Sequence, residues 1–208
     1  MQATVDRWDL TREEEQKLWE LETRLSDIHH PKNCPAEVVR FLLETHGSLK
    51  ATEKMFRKFI QWRIDNGVDT LLEDYCPEPL LQDYFPMTML DTYDKDGDGI
   101  WFQAFGVADV PGLLKRFGRK ELAKYFLWVQ ERAAEGPWGQ IYEKKMKRAP
   151  RVTVVIDLEG FNRGHAKPAA FVVYEDILCM IQNYYCMFVK KIIFVREPAI
   201  FRMIWPGK

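Results

Sequence analysis

The sequence lacks the features that mark several large classes of protein. No stretch approaches the roughly 18 consecutive apolar residues of a membrane-spanning helix, and residues 1–16 contain no apolar core of a secretory signal. The four cysteines, Cys34, Cys76, Cys179 and Cys186, form no CxxC pair, so neither a zinc site nor a disulfide framework is predicted. A reducing cytosol is the simplest compartment for such a chain.

An excess of charge of one sign is also missing. The chain has 30 Lys and Arg against 31 Asp and Glu, so its formal net charge is −1, and no general attraction to nucleic acid is expected. Hydrophobic residues make up 47% of the 208 residues. That content is enough to bury a core in one domain or in two small ones.

Catalytic motifs of the G-x-S-x-G, P-loop and G-x-G-x-x-G types are absent as well. Asp157 and Glu159 stand at the end of a predicted strand, where active-site carboxylates occur in α/β proteins. The favoured interpretation is that Asp157 binds backbone donors of the strand-to-loop turn, because no second acid–base partner is visible. A hydrolase that uses Asp157 or His165 is kept as a minor alternative.

The turn DKDGDG, which begins at Asp94, matches the opening of a calcium loop. Such a loop also needs a bidentate Glu at its last ligand position. In this sequence that position is Phe105, so the ligand set does not close and no metal is predicted. A hairpin turn rich in Gly and Asp is the plainer interpretation.

The first third of the chain has helical patterns. Thr11 followed by Glu14 forms a capping box that opens a first helix, Pro35 opens a second, and a third follows. We therefore predict an N-terminal helical domain over residues 1–75. A second domain is predicted over residues 76–208.

The second domain mixes strands and helices, which predicts the α/β class. Strands are predicted at 89–93, 100–105, 151–158 and 191–195, and helices at 80–85, 119–134 and 169–185. The first two strands read as a hairpin. The third is apolar on both faces, which is typical of a strand covered on both sides, and the order strand, helix, strand predicts a parallel crossover.

Bulky apolar side chains are concentrated in four segments, 122–129, 152–156, 177–185 and 192–194. One interpretation is an ordinary core, which composition alone does not exclude. The other is a cavity for an apolar ligand, because such cavities are lined mostly by residues of this kind.

Four segments, in the same order, resemble the CRAL-TRIO family of lipid-binding proteins. They are VVRFLLETHGSLKATEKMFRKFIQWRIDNGVDTLL, YDKDGDGIWF, VTVVIDLEGF, and YEDILCMIQNYY followed by KKIIFVREPAIF. The resemblance covers roughly residues 10–205. Within the family, the motifs are most similar to the group of tocopherol-associated and supernatant-protein-factor-like proteins.

The resemblance implies a carrier without enzymatic activity. Its fold would be an N-terminal helical bundle followed by a mixed sheet, with flanking helices around an apolar pocket. The pocket would hold one tocopherol-, squalene-, retinoid- or phospholipid-like molecule and no cofactor, since burial of a lipid tail contributes about 25 cal/mol per Å². The implied lining residues are Leu122, Tyr125, Phe126, Val129, Val152, Val154, Ile156, Ile177, Met180, Ile181, Tyr185, Ile192 and Phe194.

A run of cations precedes the third strand and contains Lys144, Lys145, Lys147 and Arg148. These residues could contact anionic lipid headgroups, although a solvated loop is the plainer interpretation of such a run. We expect a monomeric cytoplasmic protein that visits membranes peripherally.

Two departures from the family pattern are evident. The family's Tyr-Pro-Glu at the end of the later helix is replaced by Tyr185-Cys186-Met187, which removes a carboxylate, so phosphoinositide recognition is not predicted. The sequence given stops at Lys208, where the family continues into a gate helix and a further strand. We expect an incomplete pocket with an exposed apolar wall, so a protein- or membrane-interaction module acting through that groove is the alternative function.

Overall fold

The computed structural model describes residues 10–136, 151–165 and 167–204. Its helices are α1 (Arg12–Arg24), α2 (Pro35–Glu44), α3 (Leu49–Asp65), α4 (Leu71–Asp74), α5 (Pro79–Tyr84), α6 (Val110–Ala134), α7 (Pro168–Tyr184) and α8 (Ala199–Ile204). Its strands are β1 (Met87–Tyr93), β2 (Gly99–Gln103), β3 (Val152–Asp157) and β4 (Val189–Val195). No described helix is both long and apolar enough to cross a bilayer.

The first three helices begin where the sequence predicts. Thr11 Oγ1 accepts the Glu14 amide at 3.3 Å, and Glu14 Oε2 accepts the Thr11 amide at 2.8 Å, which confirms the capping box of α1. Pro35 opens α2. The three helices bury a common core that is almost closed to solvent around Leu21, Phe56 and their neighbours.

The strands form one mixed sheet in the order β1-β2-β3-β4. β1 and β2 are antiparallel, which confirms the hairpin, and β2, β3 and β4 are mutually parallel, which confirms the parallel crossover through α7. The second predicted strand is two residues too long at its end, because Phe105 lies in a short 3₁₀ turn. The structure thus has the α/β class that the sequence predicts.

Helix α6 starts nine residues before the predicted helix at 119–134. It begins at Val110, where the Asp109 carboxylate accepts the Gly112 amide at 3.0 Å. Gly118 interrupts it with φ of 76° and ψ of 167°, a conformation that glycine tolerates best. Gly112 and Gly118 lower the helix propensity of this segment, which explains why the sequence pattern misses it.

Helices α6 and α7 pack against each other and against the sheet. The helical N-terminal part joins them through a shared core that includes Val68, Leu71, Leu127, Val152 and Phe188. This shared core places α3 and α4 beside the spaces between α6, α7 and the sheet.

Candidate functional site

A narrow chamber of about 80 Å³ lies between α6, α7 and the strands. Among the described residues, its walls are apolar apart from two glutamines, Gln103 on β2 and Gln130 on α6. Six of the residues implied by the family resemblance border it, namely Phe126, Val129, Val154, Ile177, Met180 and Ile181. The chamber has the chemistry of a site for an apolar molecule.

Two wider clefts adjoin the chamber. One, of about 740 Å³, runs between α3, α6 and α7 and shares Phe126, Ile177 and Met180 with the chamber. The other, of about 320 Å³, lies between β1, β2 and α6 and shares Met87 and Trp101 with it. Each cleft has the volume of a small-molecule site. The chamber is the smallest of the three spaces and shares lining residues with both clefts.

Three of the implied lining residues are packed into cores instead. Leu122, Val152 and Tyr185 are fully or almost fully buried among other side chains, and they border none of the three spaces. Tyr125 is buried in the core on α6 and borders the 320 Å³ cleft, and burial raises its pKa to about 12. The helical and strand periodicities predict which face of an element a residue lies on. They do not predict whether that face packs against other side chains or borders a cavity.

The last three implied residues lie on β3 and β4. Ile156 and Phe194 pack around a cluster that contains Leu158 and Phe201. Ile192 is paired with Val154 in the parallel register and is 47% exposed, because β4 is the edge of the described sheet. This edge therefore presents apolar side chains to solvent.

A buried charge network joins the N-terminal helices to α6. Arg63 donates to both carboxylate oxygens of Glu131 at 3.1 Å and to Asp69 Oδ1 at 2.6 Å. The Tyr185 hydroxyl also donates to Glu131, and burial together with that carboxylate raises the pKa of Tyr185. His30 Nε2 lies 2.7 Å from Asp69 Oδ2. The sequence analysis missed this network because Arg63 and Glu131 are 68 residues apart.

Three buried side-chain atoms find no hydrogen-bond partner within the described residues: Gln130 Nε2, His165 Nε2 and the Tyr174 hydroxyl. Of these three atoms, only Gln130 Nε2 belongs to a residue that borders the chamber. Gln130 follows Phe126 by four residues, so a polar side chain stands on the apolar stripe of α6. That interruption of the stripe is a signal that sequence reasoning could have used.

The candidate catalytic residues have structural partners. Asp157 Oδ1 accepts the Glu159 amide at 3.1 Å, which confirms that it binds a backbone donor of the turn. Arg196 Nε also donates to Asp157 at 2.9 Å and lowers the pKa of that carboxyl. His165 Nδ1 accepts the Asn162 amide at 3.1 Å. No hydrogen bond joins Asp157 to His165, so these described residues do not form an acid–base pair.

The aspartate turn binds a lysine. The Lys190 ammonium lies 2.6 Å from Asp96, 2.7 Å from Asp98 and 3.3 Å from Asp94. Across the part of the chain that the structure describes, no cluster of acidic, His or Cys side chains is arranged to hold a metal. The sequence analysis missed Lys190 because it is 94 residues from Asp96.

The predicted membrane contacts, Lys144, Lys145, Lys147 and Arg148, lie outside the described residues. The 740 Å³ cleft has cations of its own on α6, namely Arg119, Lys120 and Lys124. Arg119 is bound by Asp176 of α7 at 2.7 Å. The apolar interior of this cleft is therefore rimmed by charged side chains.

The mixed sheet, the flanking helices and the apolar spaces define an α/β protein built around a hydrophobic site. A family model described as "CRAL/TRIO domain" matches residues 83–206. The chain belongs to this family.

Relatives extend the likeness to the helical part of the chain. "SEC14 cytosolic factor" of Eremothecium gossypii is 26% identical over 205 residues, which is 95% of this chain and 66% of that protein. "Phosphatidylinositol/phosphatidylcholine transfer protein SFH11" of Arabidopsis thaliana is 23% identical over 89% of this chain and 49% of that protein. "Protein real-time" of Drosophila pseudoobscura pseudoobscura is 26% identical over 92% of this chain, but the match spans 29% of that protein.

The solved structure titled "Crystal structure of Sfh5" shares the fold. The TM-score is 0.63 at 13% sequence identity, over 94% of this chain and 75% of that one. This likeness supports the fold alone. The tocopherol-associated subgroup and the division at residue 75 stay predictions.

Proposed function

We propose that the protein binds one hydrophobic lipid in the chamber and its adjoining clefts, and carries it between membranes. The observation that carries the proposal is the chamber itself, which six of the implied lining residues border. Relatives named as phosphatidylinositol/phosphatidylcholine transfer proteins support a lipid as the cargo. The cargo is tocopherol-, squalene-, retinoid- or phospholipid-like, and carriage requires no cofactor and no catalytic group.

Delivery requires contact with a membrane. The 740 Å³ cleft shares three lining residues with the chamber, and the cations that line the cleft suit an anionic lipid surface. Lys144, Lys145, Lys147 and Arg148 would add to this attraction. We propose a monomeric, cytoplasmic protein that binds membranes peripherally and has no nucleic-acid partner.

Native mass spectrometry after incubation with mixed phosphatidylcholine and phosphatidylinositol vesicles tests the proposal. The expected result is one lipid adduct per chain. Met180→Trp places a larger side chain in the chamber and should abolish the adduct, whereas Met203→Trp, at a side chain that is 83% exposed, should leave it unchanged. A wild-type protein without a lipid adduct would contradict the proposal that the protein carries lipid.

Exposed apolar side chains favour a second candidate, an interaction module. Leu178 on α7, Ile193 on β4 and Met203 on α8 are each at least 40% exposed, and an exposed apolar surface is typical of a docking site. Under this alternative, light scattering would show a mass that rises with concentration in a sample without lipid.

A further inference from the structure

Gln130, which borders the chamber, carries a buried polar group whose partner is missing from the described chain. Gln130 is 2% exposed, and its Nε2 is enclosed without an acceptor within the described residues. Its neighbours on the chamber wall, Phe126, Val129 and Val154, are hydrocarbon or aromatic. A buried amide without a partner costs free energy, whereas a leucine in the same place would have filled an apolar wall.

The wall itself cannot satisfy this donor. Gln103 is the other polar side chain among the described residues that border the chamber, and it makes no hydrogen bond to Gln130. Among the residues that the structure describes, no charged side chain borders the chamber. An anionic group such as a phosphate would therefore be buried there without a counter-charge, which is strongly unfavourable. A neutral acceptor oxygen fits both the donor and the walls.

We propose that Gln130 Nε2 donates a hydrogen bond to a neutral oxygen of the bound lipid. The chamber then selects lipids that carry an ester or keto carbonyl, or a hydroxyl, on the part that enters it, over pure hydrocarbons. A charged headgroup stays outside, in the wider clefts. This inference rests on the proposed function and adds a selectivity-determining residue to it.

Two probe lipids that differ only in an ester group measure what the carbonyl oxygen contributes to binding. Nonadecane and methyl heptadecanoate have the same chain length, but only the ester offers a carbonyl. Both are offered together in phosphatidylcholine vesicles, the protein is reisolated, and the retained lipids are quantified by mass spectrometry. The variants are Gln130→Leu and, as a control, Gln182→Leu, which makes the same change at an exposed position of α7.

The wild-type protein and Gln182→Leu should retain the ester roughly tenfold over the alkane, equivalent to about 1.4 kcal/mol. Gln130→Leu should lose that preference. Its thermal midpoint without ligand should equal or exceed that of the wild type, because leucine suits the apolar wall. A midpoint held at the wild-type value separates lost selectivity from misfolding.

Each other outcome is decisive. If the wild type and Gln130→Leu retain ester and alkane equally, the inference is overturned and lipid binding stands. If the wild type retains neither probe nor phosphatidylcholine, the proposed function fails and the inference fails with it. Retention of phosphatidylcholine that Gln130→Leu alone weakens supports the inference, since acyl esters offer the same acceptor.

Discussion

On α6, Gln130 and Glu131 are adjacent and equally buried, each 2% exposed. Glu131 faces the N-terminal helices and accepts hydrogen bonds from Arg63 and Tyr185. Gln130 borders the chamber, and its Nε2 has no acceptor within the described residues. Adjacent residues of a helix point about 100° apart, so neighbouring faces of α6 carry a polar group that the chain satisfies and one that the described residues do not.

The apolar side chains also differ in how closely they are packed. Leu122 and Phe188 are fully buried in packed clusters, whereas Ile177 and Met180 border open space and are only half-buried. Well-packed interiors leave few voids larger than a water molecule. Ile177 and Met180 border both the chamber and the 740 Å³ cleft, so open space lies on the side of α6 towards the sheet and also on the side towards α3.

The largest expected loss of stability comes from removing the ion pair between Arg63 and Glu131. Glu131→Leu removes the carboxylate that binds Arg63, whose side chain is 4% exposed. A buried charge that loses its partner costs about 3–5 kcal/mol in the free energy of unfolding. Asp69 still contacts Arg63, so we expect a loss near the lower end, measured by urea denaturation.

The double variant Arg63→Met with Glu131→Leu is the matched control. It removes both charges, so most of the lost stability should return. If the double variant is as unstable as Glu131→Leu alone, the Arg63–Glu131 pair is not the source of the loss.

Apolar truncations should sharpen the contrast between core and chamber. Leu122→Ala should cost about 3 kcal/mol, because it leaves a cavity in a closed cluster. Ile177→Ala should cost about 1 kcal/mol, because its side chain already borders open space. Equal losses in chemical denaturation would mean that the chamber is packed as tightly as the core.

The sequence predicts the class of fold well because periodicity and end signals are local. The capping box at Thr11, the hairpin at β1 and β2, and the parallel crossover all follow from patterns within short segments. What it misses depends on distant partners. Lys190 meets the aspartate turn, and Arg63 meets Glu131, only after the chain has folded.

The site shows the same limit. Residue type and face predict an apolar surface on α6, β3 and α7, but Leu122 and Val129 pack in the same cluster, and of these two Val129 alone borders the chamber. Which of them meets open space is decided by how closely the helices approach the sheet. No local pattern encodes that distance.

Two tyrosines, Tyr174 on α7 and Tyr185 directly after it, allow the same substitution to be compared at a hydroxyl with a hydrogen-bond partner and at one without a partner among the described residues. Tyr185→Phe removes the hydrogen bond to the Glu131 carboxylate, and such bonds to charged groups contribute about 2 kcal/mol. Tyr174→Phe removes a buried hydroxyl without a partner among the described residues, so stability should stay equal or rise slightly. Thermal denaturation of the two variants checks this, and a larger loss at Tyr174 would contradict it.

A small effect is expected at the aspartate turn, whose carboxylates bind a cation as Glu131 does but are partly open to solvent. Lys190→Met keeps the aliphatic stem and removes the ammonium that Asp94, Asp96 and Asp98 bind. Solvent screens this contact, so we expect a loss of about 1 kcal/mol in urea denaturation. Lys191→Met is the control, because its ammonium lies 4.0 Å from Asp94 and is more exposed.

The pH dependence of that loss identifies its cause. Burial alone would raise the pKa of Asp94, but hydrogen bonds from Thr153, backbone amides and Lys190 outweigh it, so the pKa is lowered from 3.8. A lowered folded-state pKa contributes stability above the unfolded value, and that stability is lost as the pH falls through the folded value. The difference between wild type and Lys190→Met should therefore be constant near neutral pH and shrink below about pH 4. A difference that stays constant into acid would show that lost packing of the lysine stem, and not its charge, sets the effect.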